Sequence, residues 1–251
     1  MTSEKFLIIL FYYNRPNLVR AALDSVKCQS YTDWEIAFID DGSDVPGEPI
    51  AREVLGPMAS KVTFYRSNDT PQDKLNRNGV NGSHMGKYAN EAIAASNAKY
   101  VIMLCDDDAL YGEYLRNLQE WFTANPAKNY VYSHIKQYNP PSEVPQEPLE
   151  FRDHHLNRRG AINPYYALDM SQVAWRRDPY VAANISFPYP FTVNIDAEVY
   201  TQMMKVWGHV EFSGFIGQYK AIHTDNLSHR MGRVIYGGNK NQGHVYEIGT
   251  K

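Results

Sequence analysis

The stretch "YVIMLCDDDAL", residues 100–110, reads as a strand that ends in a problem. Tyr100 to Cys105 form a continuous apolar run of the length of a buried strand. Three adjacent carboxylates, Asp106, Asp107 and Asp108, follow it directly. Like charges packed this closely repel, and burying them without a partner costs several kcal/mol or more. The flanks are helical: "KYANEAIAASN" (87–97) precedes the run and "YLRNLQEWFTAN" (114–125) follows it.

The same alternation extends back to the N-terminus. "FLIILF" (6–11), "WEIAFI" (34–39) and "KVTFYR" (61–66) read as three further strands. Pro16 suits the opening turn of a helix after the first of them. Leu18, Val19, Ala22, Leu23 and Val26 give that helix an apolar face at 3.6-residue spacing. Near-continuous apolar strands alternating with helices predict an α/β fold built on a single, mostly parallel, Rossmann-like sheet covered on both faces. Ligands in such sheets bind beyond the carboxyl ends of the strands. "DDGSD" (40–44) and the three aspartates both fall at those ends.

The second half is irregular. "YNPPSEVPQEP" (138–148) predicts a loop or extended excursion, and no clear period runs from Phe151 to Phe191. A helix resumes at "DAEVYTQMMKVW" (196–207), and the Gly/Asn-rich residues 236–251 read as a flexible tail. With no linker to support a division, the 251 residues are expected to form one domain.

Composition excludes little but is useful. A net charge of −3 gives no general attraction to nucleic acid or anionic membrane. Cys28 and Cys105, expected in a helix and a buried strand, make no disulfide framework, which fits a reducing, cytoplasmic location. The first apolar run is too short to span a bilayer, and no transmembrane segment is expected.

Three aspartates at a strand end have three readings. They could cap the following helix, where Asp is favoured. They could bind a hard divalent cation, Mn²⁺ or Mg²⁺, through oxygen. They could act as an acid/base pair. Spacing alone leaves all three open.

The longer context is informative. "FYYNRPNLVRAALDSVKCQSYTDWEIAFIDDGSD" (11–44) resembles the opening of glycosyltransferase family 2, inverting enzymes of the GT-A fold. The residues that carry the likeness are Tyr13, Asn14, Arg15, Pro16, Gln29, Ser30, Tyr31, Glu35, Asp40, Asp41, Gly42 and Ser43. "GKYANEAIAASNAKYVIMLCDDDAL" (86–110) resembles the family's Asn-bearing helix and DXD strand. The resemblance implies a nucleotide-sugar-binding half over 1–130, an acceptor-binding half over 131–235 and the tail beyond. It implies that Phe11, Tyr13, Arg15, Asp41 and Asp106 contact the nucleotide-sugar donor. Asp41 would accept the uracil N–H, Tyr13 would pack on the base and Asp106 would meet the ribose. Asp107, with Asp108 and His223, would hold the metal, and His229 competes with His223. The family carries Asp where this chain has Cys105, which leaves two registers of the motif one residue apart.

In the second half, "FTVNIDAEVYTQMMKVW" (191–207) resembles the family's acidic motif and points to Asp196 as the catalytic base, with Glu198 and Asp178 behind it. "YKAIHTDNLSHR" (219–230) resembles the family's Tyr-Arg-x-His stretch with one extra residue before His223. "HHLNRR" (154–159) and "WRRD" (175–178) place cations in the region expected to meet the acceptor, with solvated surface as the plainer reading.

The expected activity is therefore metal-dependent, inverting transfer of a sugar from a nucleotide diphosphate, a UDP-sugar if Asp41 meets uracil. The acceptor is an unidentified hydroxyl on a glycan, lipid-linked molecule, protein or nucleic acid. A sugar nucleotidyltransferase is the enzymatic alternative, but it should carry a Gly-rich phosphate loop after the first strand, and "FYYNRPN" has none. A non-catalytic nucleotide-sugar-binding protein would tolerate loss of the carboxylates that this chain retains.

Overall fold

The computed structural model describes residues 4–68, 84–138, 150–152, 168–189, 195–221, 233–234 and 247–248. The Pro-rich excursion, "HHLNRR", His223, His229 and most of the tail lie outside them. The first half follows the predicted alternation: β1 (Phe6–Tyr12), α1 (Leu18–Lys27), β2 (Trp34–Asp40), α2 (Gly47–Leu55) and β3 (Val62–Arg66). Then come α3 (Met85–Ala95), β4 (Tyr100–Cys105), the short β5 (Asp108–Leu110) and α4 (Tyr114–Ala124). The amide of Val19 donates to Arg15 O, so Pro16 does occupy an opening turn. Cys28, expected in the helix, is the exposed residue just past its end.

The central strands are apolar on both faces because both faces are covered. In β1, Leu7, Ile9 and Phe11 join one core while Phe6, Ile8, Leu10 and Tyr12 join the other. β4 divides the same way, with Val101 and Met103 on one side and Tyr100, Ile102 and Leu104 on the other. On the first side the sheet meets α3 and a later helix through Ala89, Ile93, Val199 and Met203. On the second it meets α1, α2 and α4 through Val19, Leu23, Ile50, Leu118 and Phe122.

The second half adds β6 (Tyr130–Tyr138), β7 (Glu150–Arg152), a 3-10 turn (Met170–Gln172), β8 (Val173–Arg176) and α5 (Arg177–Ala182). These are followed by α6 (Ile195–Trp207), β9 (Glu211–Ala221) and a β10–β11 pair (Arg233–Val234, Glu247–Ile248). The main sheet runs β3-β2-β1-β4-β8-β6-β9-β5, with β7 on β6. It is parallel from β3 to β4, as expected. Beyond β4 it is mixed: β8 is antiparallel to both β4 and β6, while β9 runs parallel to β6 and antiparallel to β5. The register sets Phe11 beside Cys105, Tyr12 beside Asp40 and Asp108 opposite Lys220. The carboxyl ends of three central strands and one late strand thus meet at one edge.

Two side-chain amides of the family-like motifs tie neighbouring elements of the fold together. Gln29, buried, donates to Ser25 O and Tyr111 O and accepts from the Leu115 amide, tying α1 to the turn after β5. Asn90 on α3 donates to Phe187 O at 2.9 Å and accepts from Phe187 N at 2.8 Å.

Candidate active site

The aspartates do not cap the next helix. Asp108 opens strand β5, and the residue before α4 is Glu113. Asp106, Asp107 and Asp108 are instead all buried at the sheet edge, at 4%, 7% and 1% exposure. Something must offset their charge, and two cations do.

The first is Arg15, whose Nη1 lies 2.9 Å from Asp106 Oδ1 and 2.8 Å from Asp107 Oδ2. Asp106 Oδ2 also accepts from the Tyr13 amide at 2.8 Å. The turn that aims Tyr13 and Arg15 depends on Asn14, a non-glycine residue at φ 52. Asn and Asp tolerate that left-handed conformation better than other residues. Here Asn14 N donates to Ser43 Oγ, and its side chain exchanges two hydrogen bonds with Asp44.

The second cation is Lys220 on β9, which the sequence pattern does not single out. Its Nζ lies 2.7 Å from Asp169 Oδ2 and 3.8 Å from Asp108 Oδ2. Ser171 Oγ donates to Asp108 Oδ2 at 3.0 Å. Burial opposes the Lys220 charge, yet Asp108 and Asp169 outweigh it and hold the ammonium well above its ordinary range. Burial is also the main reason that Asp106 and Asp108 sit above the usual carboxylate range, and the charge of Asp107 adds to it. Lys220 reaches Asp108 through the register of β5 on β9, and Asp169 and Ser171 reach them from the 3-10 turn that leads into β8. The one sequence signal for Lys220 is its place after Tyr219, where the resembling family has Arg.

Asp196 falls in the first turn of α6. One turn on, Tyr200 donates to Met170 O at 2.6 Å, beside the Ser171 that holds Asp108. Positions i and i+4 share a helix face, so Asp196 lies on the face turned toward the aspartates. Burial, then the nearby charge of Asp169, pushes its carboxyl up to about 6. Glu198 shares that first turn. Asp178 is elsewhere: it follows Arg176, which pairs with Tyr100 at the opposite end of β4, and its side chain is 84% exposed. That position removes it as an alternative base. The "WRRD" arginines face away from the site as well. Arg177 donates to Ile93 O and Ala94 O at the end of α3, and Arg176 to Phe122 O and Lys128 O, so they terminate helices.

At the other end of the edge, Asp41 is buried after β2, and its amide donates to Tyr12 O. Asp40 serves the turn structurally, since it accepts from Ser43 N, Gly47 N and Arg66 Nη1. Phe11 turns into the core, where its ring meets Phe187. A cavity of about 390 Å³ lies beyond Asp40, lined by Phe38, Pro49, Phe64 and Arg66; it is separate from the three aspartates. Tyr13, Arg15, Asp41, Asp106, Asp107, Asp108 and Asp196 thus occupy loops and ends along one edge.

Comparison with known proteins agrees with this architecture. The glycosyl transferase family 2 model matches residues 7–177. Protein CgeD of Bacillus subtilis (strain 168) is 27% identical over 134 residues, covering 53% of this chain and 30% of that protein. Among solved structures, S. aureus TarS 1-349 in complex with UDP-GlcNAc superposes with a TM-score of 0.59 at 16% identity. That match covers 87% of this chain and 59% of the other. Mannosyltransferase PcManGT from Pyrobaculum calidifontis, in complex with GDP-Man and Mn²⁺, gives 0.58 at 14% identity, over 88% and 58% of the two chains. The chain spans less than two thirds of each of these relatives. No helix among the described residues is long and apolar enough to cross a membrane.

Proposed function

The chain belongs to glycosyl transferase family 2, and on that premise we propose that it transfers a sugar from a nucleotide diphosphate to a hydroxyl acceptor with inversion. The observation that carries this reading is the edge that joins Asp41, the three aspartates and Asp196 at the carboxyl ends of the parallel strands, where such sheets bind ligands. The donor lies along it. Asp41 accepts the N–H of the base in a charge-assisted hydrogen bond, which favours a uridine nucleotide, and Tyr13 packs on its ring. Asp106 meets the ribose, with Arg15 fixing its carboxylate. Residues 131–235 supply the acceptor side.

A divalent cation, Mn²⁺ or Mg²⁺, fits the donor set. Asp107 and Asp108 each bring a carboxylate oxygen to one small group. Asp108 Oδ1 is buried without a hydrogen-bond partner among the described residues, an arrangement that an ion would repair. When bound, the ion neutralises charge on the departing diphosphate. Asp107 and Asp108 hold it, while Arg15 and Lys220 limit the repulsion between them. Asp196, as base, takes the proton from the attacking hydroxyl.

Calorimetry with UDP and Mn²⁺ tests the reading. Asp107→Asn should abolish Mn²⁺-dependent UDP binding while the circular dichroism spectrum and melting curve stay close to wild type. Metal-dependent binding at wild-type strength would overturn it. Asp41→Ala gives a separate result. It should weaken UDP by about 1.5–3 kcal/mol, the worth of a hydrogen bond to a charged group, and leave inorganic diphosphate unaffected. Equal binding of UDP and ADP by the wild type would remove the uracil contact.

A further inference from the structure

At the end of β4 the family's carboxylate position is taken by sulfur, and the geometry around that sulfur is specific. Cys105 Sγ and one carboxylate oxygen each of Asp107 and Asp108 lie within 4.8 Å of one another. Cys105 is partly exposed at the strand's end, unlike the fully buried Met103 and Leu104 before it. Its hydrogen-bonded neighbours are Ser171, whose Oγ accepts from the Cys105 amide, and Met170, whose Sδ lies 3.5 Å from the thiol. Neither neighbour competes strongly for the sulfur, since a thioether is a weak acceptor.

From this we propose that Cys105 is a third protein ligand of the divalent cation, making the site mixed sulfur and oxygen. The inference rests on the cation reading given above. Two observations carry it independently of the family pattern: the three donor atoms converge, and Asp108 Oδ1 is buried with no hydrogen-bond partner among the described residues. Metal–sulfur bonds of about 2.3 Å and metal–oxygen bonds of about 2.1 Å set ligand atoms on one ion about 3–4 Å apart. The three donors, now within 4.8 Å of one another, close to that spacing as the ion binds. The thiol gives its proton to solvent as the metal–sulfur bond forms, so binding releases a proton.

The consequence is selectivity. Thiolate ligands favour softer cations, whereas all-oxygen sites suit Mg²⁺. The protein should bind Co²⁺, Zn²⁺ and Cd²⁺ more tightly than Mn²⁺, and Mg²⁺ least. Met170 adds a second polarizable sulfur beside the site.

The test is spectroscopic. Co²⁺ or Cd²⁺ is titrated into the full chain with UDP present, and the near-ultraviolet band from thiolate-to-metal charge transfer is followed. The band should appear in the wild type and in Cys28→Ser, which removes the exposed thiol, and be lost in Cys105→Ser. Cys105→Ser should also weaken Cd²⁺ by tenfold or more, since even groups that only support metal ligands are worth roughly 10–100-fold in affinity. Mg²⁺ should weaken far less. As a readout that needs no variant, Cd²⁺ should protect Cys105 in the wild type from alkylation while Cys28 continues to react. If Mn²⁺ binds calorimetrically but Co²⁺ and Cd²⁺ give no band and no protection, the sulfur ligand is wrong and the aspartate site stands. If none of these cations binds, both fall.

Discussion

Asp196→Asn should fold, bind donor and fail to transfer. General-base assistance is worth roughly 10²–10⁴ in rate, and the loss should appear in kcat with the true acceptor. The effect on stability has the opposite character. Asp196 carries a carboxyl pushed up to about 6, first by burial and then by Asp169. Its folded pKa exceeds its unfolded one, so the folded state is favoured by protonation, and that contribution is lost as pH rises from about 4 through about 6. Above that range the ionised group is a mild liability, and Asn, which keeps the size, should hold or raise the melting temperature at pH 7.5. A purely structural Asp196 would give near-normal turnover. The wild-type rate should fall as pH drops through about 6, because the base must be ionised to accept a proton, and that limb should vanish in the Asn variant. Donor hydrolysis should be measured separately, because water needs less positioning than an acceptor hydroxyl. Transfer by Asp196→Asn above about a tenth of the wild-type rate would rule out this residue as the base.

The second large effect is expected at Lys220. Lys220→Met removes the ammonium between Asp108 and Asp169 and leaves buried carboxylates without it. Breaking a buried ion pair on one side costs about 3–5 kcal/mol, which denaturant titration at neutral pH should register. The pH dependence follows from the sign of the shift. Asp108 already sits above the usual carboxylate range through burial, and Lys220 is the main influence holding it down. Without Lys220 its folded pKa moves further from the unfolded value, so the variant should regain stability as pH falls through that window. Asp169→Asn added to Lys220→Met should recover part of the loss, with a coupling of the size expected for direct neighbours. Simple additivity of the two substitutions would mean that the cluster does not act as a unit.

The contrast between these two residues shows what the sequence could disclose. Asp196 opens a run with a helical period, so its place in the first turn of a helix was legible. β1, β2 and β4 were legible for a related reason: strands covered on both faces become continuous apolar runs. β6, "YVYSHIKQY", and β9, "EFSGFIGQYKA", mix polar and apolar residues and announce no period. They lie beyond the parallel half of the sheet, where neighbours set burial position by position. Lys220 and Asp169 were hidden more thoroughly, since their meaning lies in a cross-strand register. Asp178 misled for the same reason: a carboxylate near the acceptor motifs in sequence lies at the wrong end of β4 in space. The three aspartates were visible as a puzzle, and their partners were not.

The pairing of Asp108 with Lys220 also bears on how the chain reaches this structure. β5 has only three residues, and its place in the sheet is against β9, a strand synthesised long after it. Such distant pairings slow folding, because a large loop must close before any contact rewards it. Until β9 docks, Arg15 is the cation that meets this cluster, and Asp108 stands without the ammonium of Lys220. The nascent first half can therefore collapse around β1, β2 and β4 but must leave its acidic edge open and hydrated. Assembly of the site therefore waits for residue 220, and a chain cut short before it should remain loose at the acidic edge.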